Sequence, residues 1–359
     1  MRPSTGHGYP PPRTENRKKQ HQKGAKMSTV ISLLINGLYV IATIVGVYFL
    51  IALILIFTEW PKELPASKGL DFPSGGSETN IAPHEETTYT TRNDDELPVR
   101  IFLGSDDLPL IIVVHGSGWH GGAYLELASE LAAPGHTVLV PDMRGHGVSP
   151  ERRGDVDYVG QFEDDLADLI QRYQVAEQEV ILVGHSSGGG LVVRFAGGPN
   201  GSLMDRAVVI APFLKHDAPT TRAQSGGWAH PLNRRYIGLI MLNVAGLEVL
   251  NNLTVIQFNF PDQVLQSPTG ETATGAYSYR LNTSFAPRNS YQEDVALLPK
   301  FLLVVGADDE AFVAENFEPL LKPMTSNGTY AIVPDQSHLG ILTSNEAFDT
   351  IREFVAMSR

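Results

Sequence analysis

Val180-Ile181-Leu182-Val183-Gly184-His185-Ser186-Ser187-Gly188-Gly189-Gly190 decides the reading of this chain. Its first four residues are an apolar run of the kind that forms a strand buried on both faces. Residues 189–196 read as the opening of a helix. Between them lies a Gly-x-Ser-x-Gly pattern centred on Ser186. A strand that turns at once into a helix through this pattern makes a tight elbow. Small residues are needed two places before and after the serine. The turn pushes the hydroxyl clear of the sheet edge, and the helix N-terminus points at whatever the serine attacks.

Similar apolar runs recur on both sides of the elbow. Residues 110–114, 137–140, 207–210, 301–305 and 330–333 each read as a buried strand, and residues 99–103 as an early edge strand. Helical spacing appears at 124–133, at 157–173 (Phe162, Leu166, Leu169, Ile170) and at 348–357. Buried strands alternating with helices imply an α/β fold with a mostly parallel, doubly wound sheet. Residues 212–298 break the alternation. They are rich in aromatics, Asn and Pro and too long for a simple crossover. They are expected to form an inserted cap over the C-terminal edge of the sheet, walling a substrate pocket.

A serine hydroxyl is a poor nucleophile at neutral pH. It needs a base to take its proton and an acid to orient that base. In an elbow fold the chain order is Ser, then Asp or Glu, then His. Asp308 and Asp309 follow the strand at 301–305, and His338 follows the strand at 330–333. His216, His230 and Asp217 lie in the cap region and are the weaker candidates. The tetrahedral intermediate also needs donors. The backbone N–H of Ser187 is one. His115-Gly116-Ser117-Gly118 sits directly after residues 110–114, so the N–H of Ser117 is the natural second.

With these residues assembled, the chain resembles the α/β-hydrolase superfamily, and most the monoacylglycerol lipase and lysophospholipase-like branch that also holds the S33-type serine aminopeptidases. The resemblance runs through His115-Gly116-Ser117-Gly118, the Asp142-Met143-Arg144-Gly145-His146-Gly147-Val148-Ser149 loop, the stretch from Arg153-Gly154 to Asp168, the elbow, Gly306-Ala307-Asp308-Asp309 and Ser337-His338. It covers about residues 89–359. It implies that the acid is the third residue after Gly306, which selects Asp309. The resemblance therefore implies a catalytic set of Ser186, Asp309 and His338 with Ser117 and Ser187 as oxyanion donors.

The bulk numbers narrow the setting. There is no cysteine in 359 residues, so disulfides and thiolate chemistry are excluded. Residues 1–26 carry seven Lys/Arg and one acid, a charge of +6; the chain totals −13, leaving −19 on the remainder. A nucleic-acid role for the body is thereby disfavoured. No metal or nucleotide motif is present; Gly188-Gly189-Gly190 lacks the Lys-Ser/Thr ending of a phosphate loop. No cofactor is expected.

Residues 30–57 hold no charged residue. A helix of that length reaches about 42 Å, more than the roughly 30 Å of a bilayer core. The run is too long for a signal peptide. It is expected to be a transmembrane anchor, with residues 1–29 a basic cytoplasmic tail and the body beyond the membrane. A start at Met27 would remove that tail. Trp60, just past the run, suits an interfacial position. Residues 58–88, rich in Pro, Gly, Ser and Thr, read as a linker before a body at 89–359. Asn200, Asn252, Asn282 and Asn327 open Asn-x-Ser/Thr sites, which matter only in a secretory pathway that glycosylates.

Three functions fit. The first is a membrane-tethered serine hydrolase of small or lipid-like carboxylic esters. The second is a peptidase or amidase with the same site. The third is a tethered binding protein on a hydrolase scaffold, which a full set of catalytic residues argues against. Dehalogenase and epoxide hydrolase chemistry needs a carboxylate where Ser186 stands.

Overall fold

The computed structural model of the chain describes residues 6, 14–64, 69–72, 81–148, 150–267 and 270–357. Residues 1–5 and 7–13 of the basic tail, parts of the expected linker and Ser149 lie outside them. Eleven strands are present among the described residues: β1 (Glu85–Thr90), β2 (Glu96–Phe102), β3 (Leu110–Val114), β4 (Val138–Pro141), β5 (Val180–His185), β6 (Arg206–Ile210), β7 (Ala229–Pro231), β8 (Thr254–Phe258), β9 (Ala276–Ser278), β10 (Lys300–Gly306) and β11 (Gly328–Val333). Every residue of β3, β4, β5 and β6 is buried, which is what their uninterrupted apolar runs require.

Eight strands form one sheet in the order β1-β2-β4-β3-β5-β6-β10-β11. β2 runs antiparallel to β1 and β4; the remaining pairs are parallel. Side chains alternate across it. Leu110, Ile112 and Val114 join a core with the helices at Gln161–Tyr173 and Ser187–Ala196. Ile111 and Val113 join a second core with the helices at Leu125–Ala132 and Asn345–Ala356. The fold is thus a doubly wound α/β-hydrolase sheet. Val114 pairs with Gly184, His185 with Ile210, and Gly306 with Val333. That register gathers the C-terminal ends of β3, β5, β10 and β11 on one edge.

The N-terminal side of the sheet departs from the expected pattern. Residues 99–103 were expected at the edge, but β2 lies between β1 and β4. The edge is β1, which starts at Glu85 inside the stretch read as linker. Its sequence, Glu-Glu-Thr-Thr-Tyr-Thr, buries only Tyr89 and so gives no apolar signal. The helix expected from residue 157 begins at Gln161, because Gly160 takes a left-handed φ of 105°. The Gln161 side chain instead closes the preceding turn on Asp157, at 2.7 and 2.9 Å.

Residues 212–298 contain a three-stranded antiparallel sheet, β7-β8-β9, and three helices of six residues or more, at Asn233–Val244, Tyr279–Phe285 and Tyr291–Ala296. We call this unit the cap and its helix at Asn233–Val244 the cap helix.

One helix among the described residues is long and apolar enough to cross a membrane, within Thr14–Phe57. Most of its side chains are exposed, but its last turns are not free. Ala52 and Ile56 are wholly buried against Leu239, Leu242, Val255 and Tyr279 of the cap. The Tyr48 hydroxyl donates to the Met241 carbonyl at 2.8 Å. Gly238 permits the close approach: a Cβ there would lie 2.6 Å from the Ala52 carbonyl oxygen. Just beyond the helix, Glu59 accepts the N–H groups of Arg234 and Arg235, at 2.7 and 3.2 Å. The cap helix has no side-chain cap from its own Leu232, so Glu59 supplies the anionic partner its N-terminus lacks. Trp60 sits under the Arg235 guanidinium, 4.6 Å from ring centre to cation. The expected linker is tied down as well. Lys62 exchanges two hydrogen bonds with the Gln257 side chain, at 3.0 and 2.9 Å, and Phe72 packs against Trp119, Trp228 and Phe260.

Candidate active site

Ser186 directly follows β5 with φ 54° and ψ −119°, a strained backbone for a non-glycine residue. The elbow leaves no room for side chains. A Cβ on Gly184 would lie 2.4 Å from the Gly188 carbonyl, and one on Gly188 would lie 2.4 Å from that of Val114. Ser187 opens the following helix, so its N–H belongs to the helix N-terminus.

Asp309 follows β10 and is buried, whereas Asp308 is exposed. One oxygen of Asp309 accepts the N–H groups of Ala311 (2.8 Å) and Phe312 (2.7 Å). The other lies 2.8 Å from Nδ1 of His338. That pairing puts the imidazole proton on Nδ1 and leaves Nε2 as the basic nitrogen. The His338 ring packs between His185 and Phe312, with centroids 4.6 and 5.3 Å away. Ser117, Ser186, Ser187 and His338 all line one cavity. The structure therefore brings the five expected residues together. It gives no hydrogen bond between Ser186 and His338, a link that in ligand-free sites is often long. Asp217 stands outside, exposed and paired with Lys215 at 3.3 Å. His216 is exposed, and His230 contacts the Gly227 carbonyl; neither lines the cavity.

The loop carrying Ser117 is built from residues upstream of any chemistry. His115 Nδ1 donates to the Gly116 carbonyl at 2.8 Å, and its Nε2 accepts the Met143 N–H at 3.0 Å. Burial holds its pKa down to about 4, so the ring stays neutral. His185, the second residue of the elbow pattern, lies 3.0 Å from the His338 carbonyl through Nε2, which must carry the proton. Its Nδ1 then accepts from the Tyr124 hydroxyl at 2.9 Å, and Tyr124 accepts the Gly116 N–H at 2.8 Å. Burial pushes the pKa of His185 well below the usual histidine range and that of Tyr124 up, so both remain neutral. No protein group among the described residues accepts the N–H of Ser117 or Ser187. Two such donors on residues that line one cavity beside a serine are suited to a developing oxyanion.

Apolar residues form most of the remaining wall: Phe213, Trp228, Ile256, Phe258, Phe285 and Phe312. No acidic residue is among those lining the cavity. Glu310 is close by, but its carboxylate is occupied by the N–H groups of Asp71 (2.5 Å) and His338 (2.9 Å). Sequence reasoning missed Tyr124, Trp228 and Phe72. None belongs to a motif with fixed spacing, and two of the three come from the cap and the stretch read as linker.

A family model described as serine aminopeptidase, S33, matches residues 106–339. Among curated proteins, the chain is 29% identical over 114 residues to a monoglyceride lipase homolog of monkeypox virus, covering 30% of this chain and 40% of that protein. It is 33% identical over 79 residues to methylesterase 18 of Arabidopsis thaliana, covering 22% and 30%. An uncharacterized protein of Mycobacterium tuberculosis matches at 33% over 97 residues, 27% of each chain. The chain thus spans well under half the length of these curated relatives. Among solved structures, a monoacylglycerol lipase of Paleococcus ferrophilus superposes with a TM-score of 0.54 at 20% identity, over 73% of this chain and 98% of that one. A membrane phospholipase A described as a bacterial virulence factor superposes with a TM-score of 0.54 at 16% identity, over 90% and 97%.

Proposed function

The chain belongs to the serine aminopeptidase S33 family of α/β-hydrolases; from that premise we propose that it is a membrane-anchored serine hydrolase of esterase and lipase type that cleaves lipid-like carboxylic esters through Ser186, His338 and Asp309. Ser186 Oγ attacks the ester carbonyl carbon while Nε2 of His338 takes its proton. The carbonyl oxygen becomes an oxyanion held by the N–H groups of Ser117 and Ser187. Asp309 keeps the imidazolium oriented. Collapse of the intermediate breaks the C–O bond, and His338 gives its proton to the departing alcohol. Water, deprotonated by His338, then attacks the acyl-enzyme, and the acid leaves as Ser186 regains its proton.

The observation that carries this reading is the Asp309–His338 hydrogen bond beside Ser186 in an apolar cavity. An aminopeptidase needs a carboxylate to bind a free α-amine. The absence of any acidic lining residue among those described favours esters. A fluorophosphonate should label the wild-type protein and leave Ser186→Ala unlabelled. Hydrolysis of p-nitrophenyl and monoacylglycerol esters without turnover of aminoacyl-naphthylamides is expected. A folded wild type that resists labelling refutes the reading.

The anchor reading rests on the apolar run and its basic flank. About 20 residues of helix cross a 30 Å core. Counted from Lys26, the last basic residue, they end near Val47. Tyr48 to Phe57 then rise beyond the bilayer, where the cap covers Ala52 and Ile56. With Lys and Arg retained in the cytoplasm, the body stands on the opposite side. Protease access to the body in sealed vesicles of known orientation tests this.

A further inference from the structure

The cap does more than wall the cavity: it grips the loop that carries Ser117 at three points. The Trp228 indole N–H donates to Ser117 Oγ at 3.2 Å. The Thr274 N–H donates to the Gly118 carbonyl at 2.8 Å. The Gly118 N–H donates to the Tyr277 hydroxyl oxygen at 2.5 Å. Tyr277 lies in β9, paired with Ile256 of β8, so the cap sheet sets its position.

The protons of this contact can be assigned from its neighbours. His146 Nδ1 lies 3.1 and 3.0 Å from the carbonyl oxygens of Met143 and Arg144. Two acceptors at that distance require a proton on Nδ1. Nε2 is then the acceptor, and it lies 2.6 Å from the Tyr277 hydroxyl. Tyr277 therefore donates to His146 and uses its free lone pair for Gly118. Both side chains are buried, and burial holds His146 neutral and Tyr277 protonated, so the direction does not reverse. Gly118 itself has φ 76°, a left-handed conformation that needs an external partner to fix the orientation of its peptide. On the other flank, Tyr124 and His185 hold the Gly116 N–H in the same way, but from within the sheet domain.

We propose that Tyr277 is a positioning residue for the oxyanion hole: it fixes the Ser117–Gly118 peptide, and through it the Ser117 N–H, so that the cap must be seated for the hole to be aligned. This rests on the reading of Ser117 as an oxyanion donor. Tyr277→Phe keeps the ring and its packing and removes only the hydroxyl. In the full chain it should lower kcat on p-nitrophenyl butyrate about 10- to 100-fold, below the 10²–10³ that follows loss of a whole donor. KM should stay within about threefold, because the ground-state ester does not use the hole fully. The Ki of a trifluoromethyl ketone, whose adduct with Ser186 places an oxyanion in the hole, should rise by the same factor as kcat falls. A purely structural role would raise KM in step with the fall in kcat, and that pattern overturns the proposal, as does an unchanged kcat; a lower melting temperature follows on either reading, because the Gly118 N–H and His146 Nε2 both lose a partner. A readout independent of turnover is hydrogen exchange at the ¹⁵N-labelled Gly118 amide, slow in the wild type and faster in Tyr277→Phe. Equal exchange in the two overturns the clamp even in an active enzyme. Absence of fluorophosphonate labelling in the wild type would sink the hydrolase reading while the exchange result still stood or fell alone.

Discussion

Replacing Gly238 with leucine should pry the last turns of the helix at Thr14–Phe57 from the cap. A Cβ at this position would lie 2.6 Å from the Ala52 carbonyl oxygen and 2.7 Å from Ile56 Cγ1. The first is backbone, so no rotamer change relieves it. The helices must separate, and Ile56 and Leu239, both wholly buried, lose their partners. Burying such a side chain is worth about 1.5–3 kcal/mol, which bounds the loss at about 3–6 kcal/mol. The contacts of Glu59 with Arg234 and Arg235 go with the same movement. Limited trypsinolysis after Lys62 reads the result. In the wild type Lys62 is exposed, but its main-chain N–H and C=O are both bonded to the Gln257 side chain, which holds the site out of the protease-bound form. Cleavage through local opening follows the population of the open form when closing is fast. A loss of about 3 kcal/mol should then speed cleavage at least 100-fold. Ile56→Ala, which deletes packing without a clash, should give a smaller increase in the same direction. Wild-type cleavage rates in folded Gly238→Leu would refute the docking argument.

Other expectations concern the site. Asp309→Asn should lower kcat by roughly 10³–10⁴, because the amide no longer holds the proton on Nδ1 of His338; Asp308→Asn should stay near wild type, and the reverse result in ester hydrolysis would overturn the assignment of the acid. His115 has a folded pKa of about 4 against 6.5 in its unfolded form, so the unfolded chain takes up a proton that the folded chain refuses. Stability from this residue is complete above pH 6.5 and is lost as pH falls toward 4, about 2 kcal/mol of it between pH 7 and 5. Denaturant titrations of His115→Gln should therefore show a pH dependence flatter by that amount; parallel curves would show that burial does not hold His115 neutral. Tyr124→Phe strands the Gly116 N–H and the His185 Nδ1, which should cost about 1–3 kcal/mol in chemical unfolding, and an unchanged stability would mean that water replaces the hydroxyl.

How much was legible in the sequence depended on whether a residue's role is carried by its neighbours along the chain. β3, β5, β6 and β10 were visible because each holds an unbroken apolar run of four or five residues buried on both faces. Ser186 was visible because it follows such a strand. His338 follows residues 330–333, which read as a buried strand but form the sheet edge, where only Val333 is buried. Asp309 was separable from Asp308 only through resemblance. β1 was not visible, since an edge strand with one buried residue has no hydrophobic period. The docking of Ala52 and Ile56 was hidden for the opposite reason. A helix apolar on every side does not reveal which face meets lipid and which meets protein. Tyr277 stands 159 residues from the amide it accepts, inside a stretch without motif. Its role comes from the cap's tertiary path alone.

The contact between Glu59 and Arg234 also sets an order of events in biogenesis. The two residues are 175 positions apart. At a synthesis rate of about 5–20 residues per second, the anchor leaves the ribosome roughly 10–35 s before the cap helix exists. During that interval Ala52, Ile56 and Glu59 have none of their final partners. On the anchoring proposed above, insertion of the helix comes first and its docking second, with lipid or the insertion machinery covering the apolar turns meanwhile. A chain cut after residue 60 faces the converse difficulty: its cap emerges with Leu239, Leu242 and Val255 uncovered and the N-terminus of its helix without an anionic partner. Production of the catalytic body as a soluble fragment should therefore fail by aggregation unless the stretch from Tyr48 onward is retained.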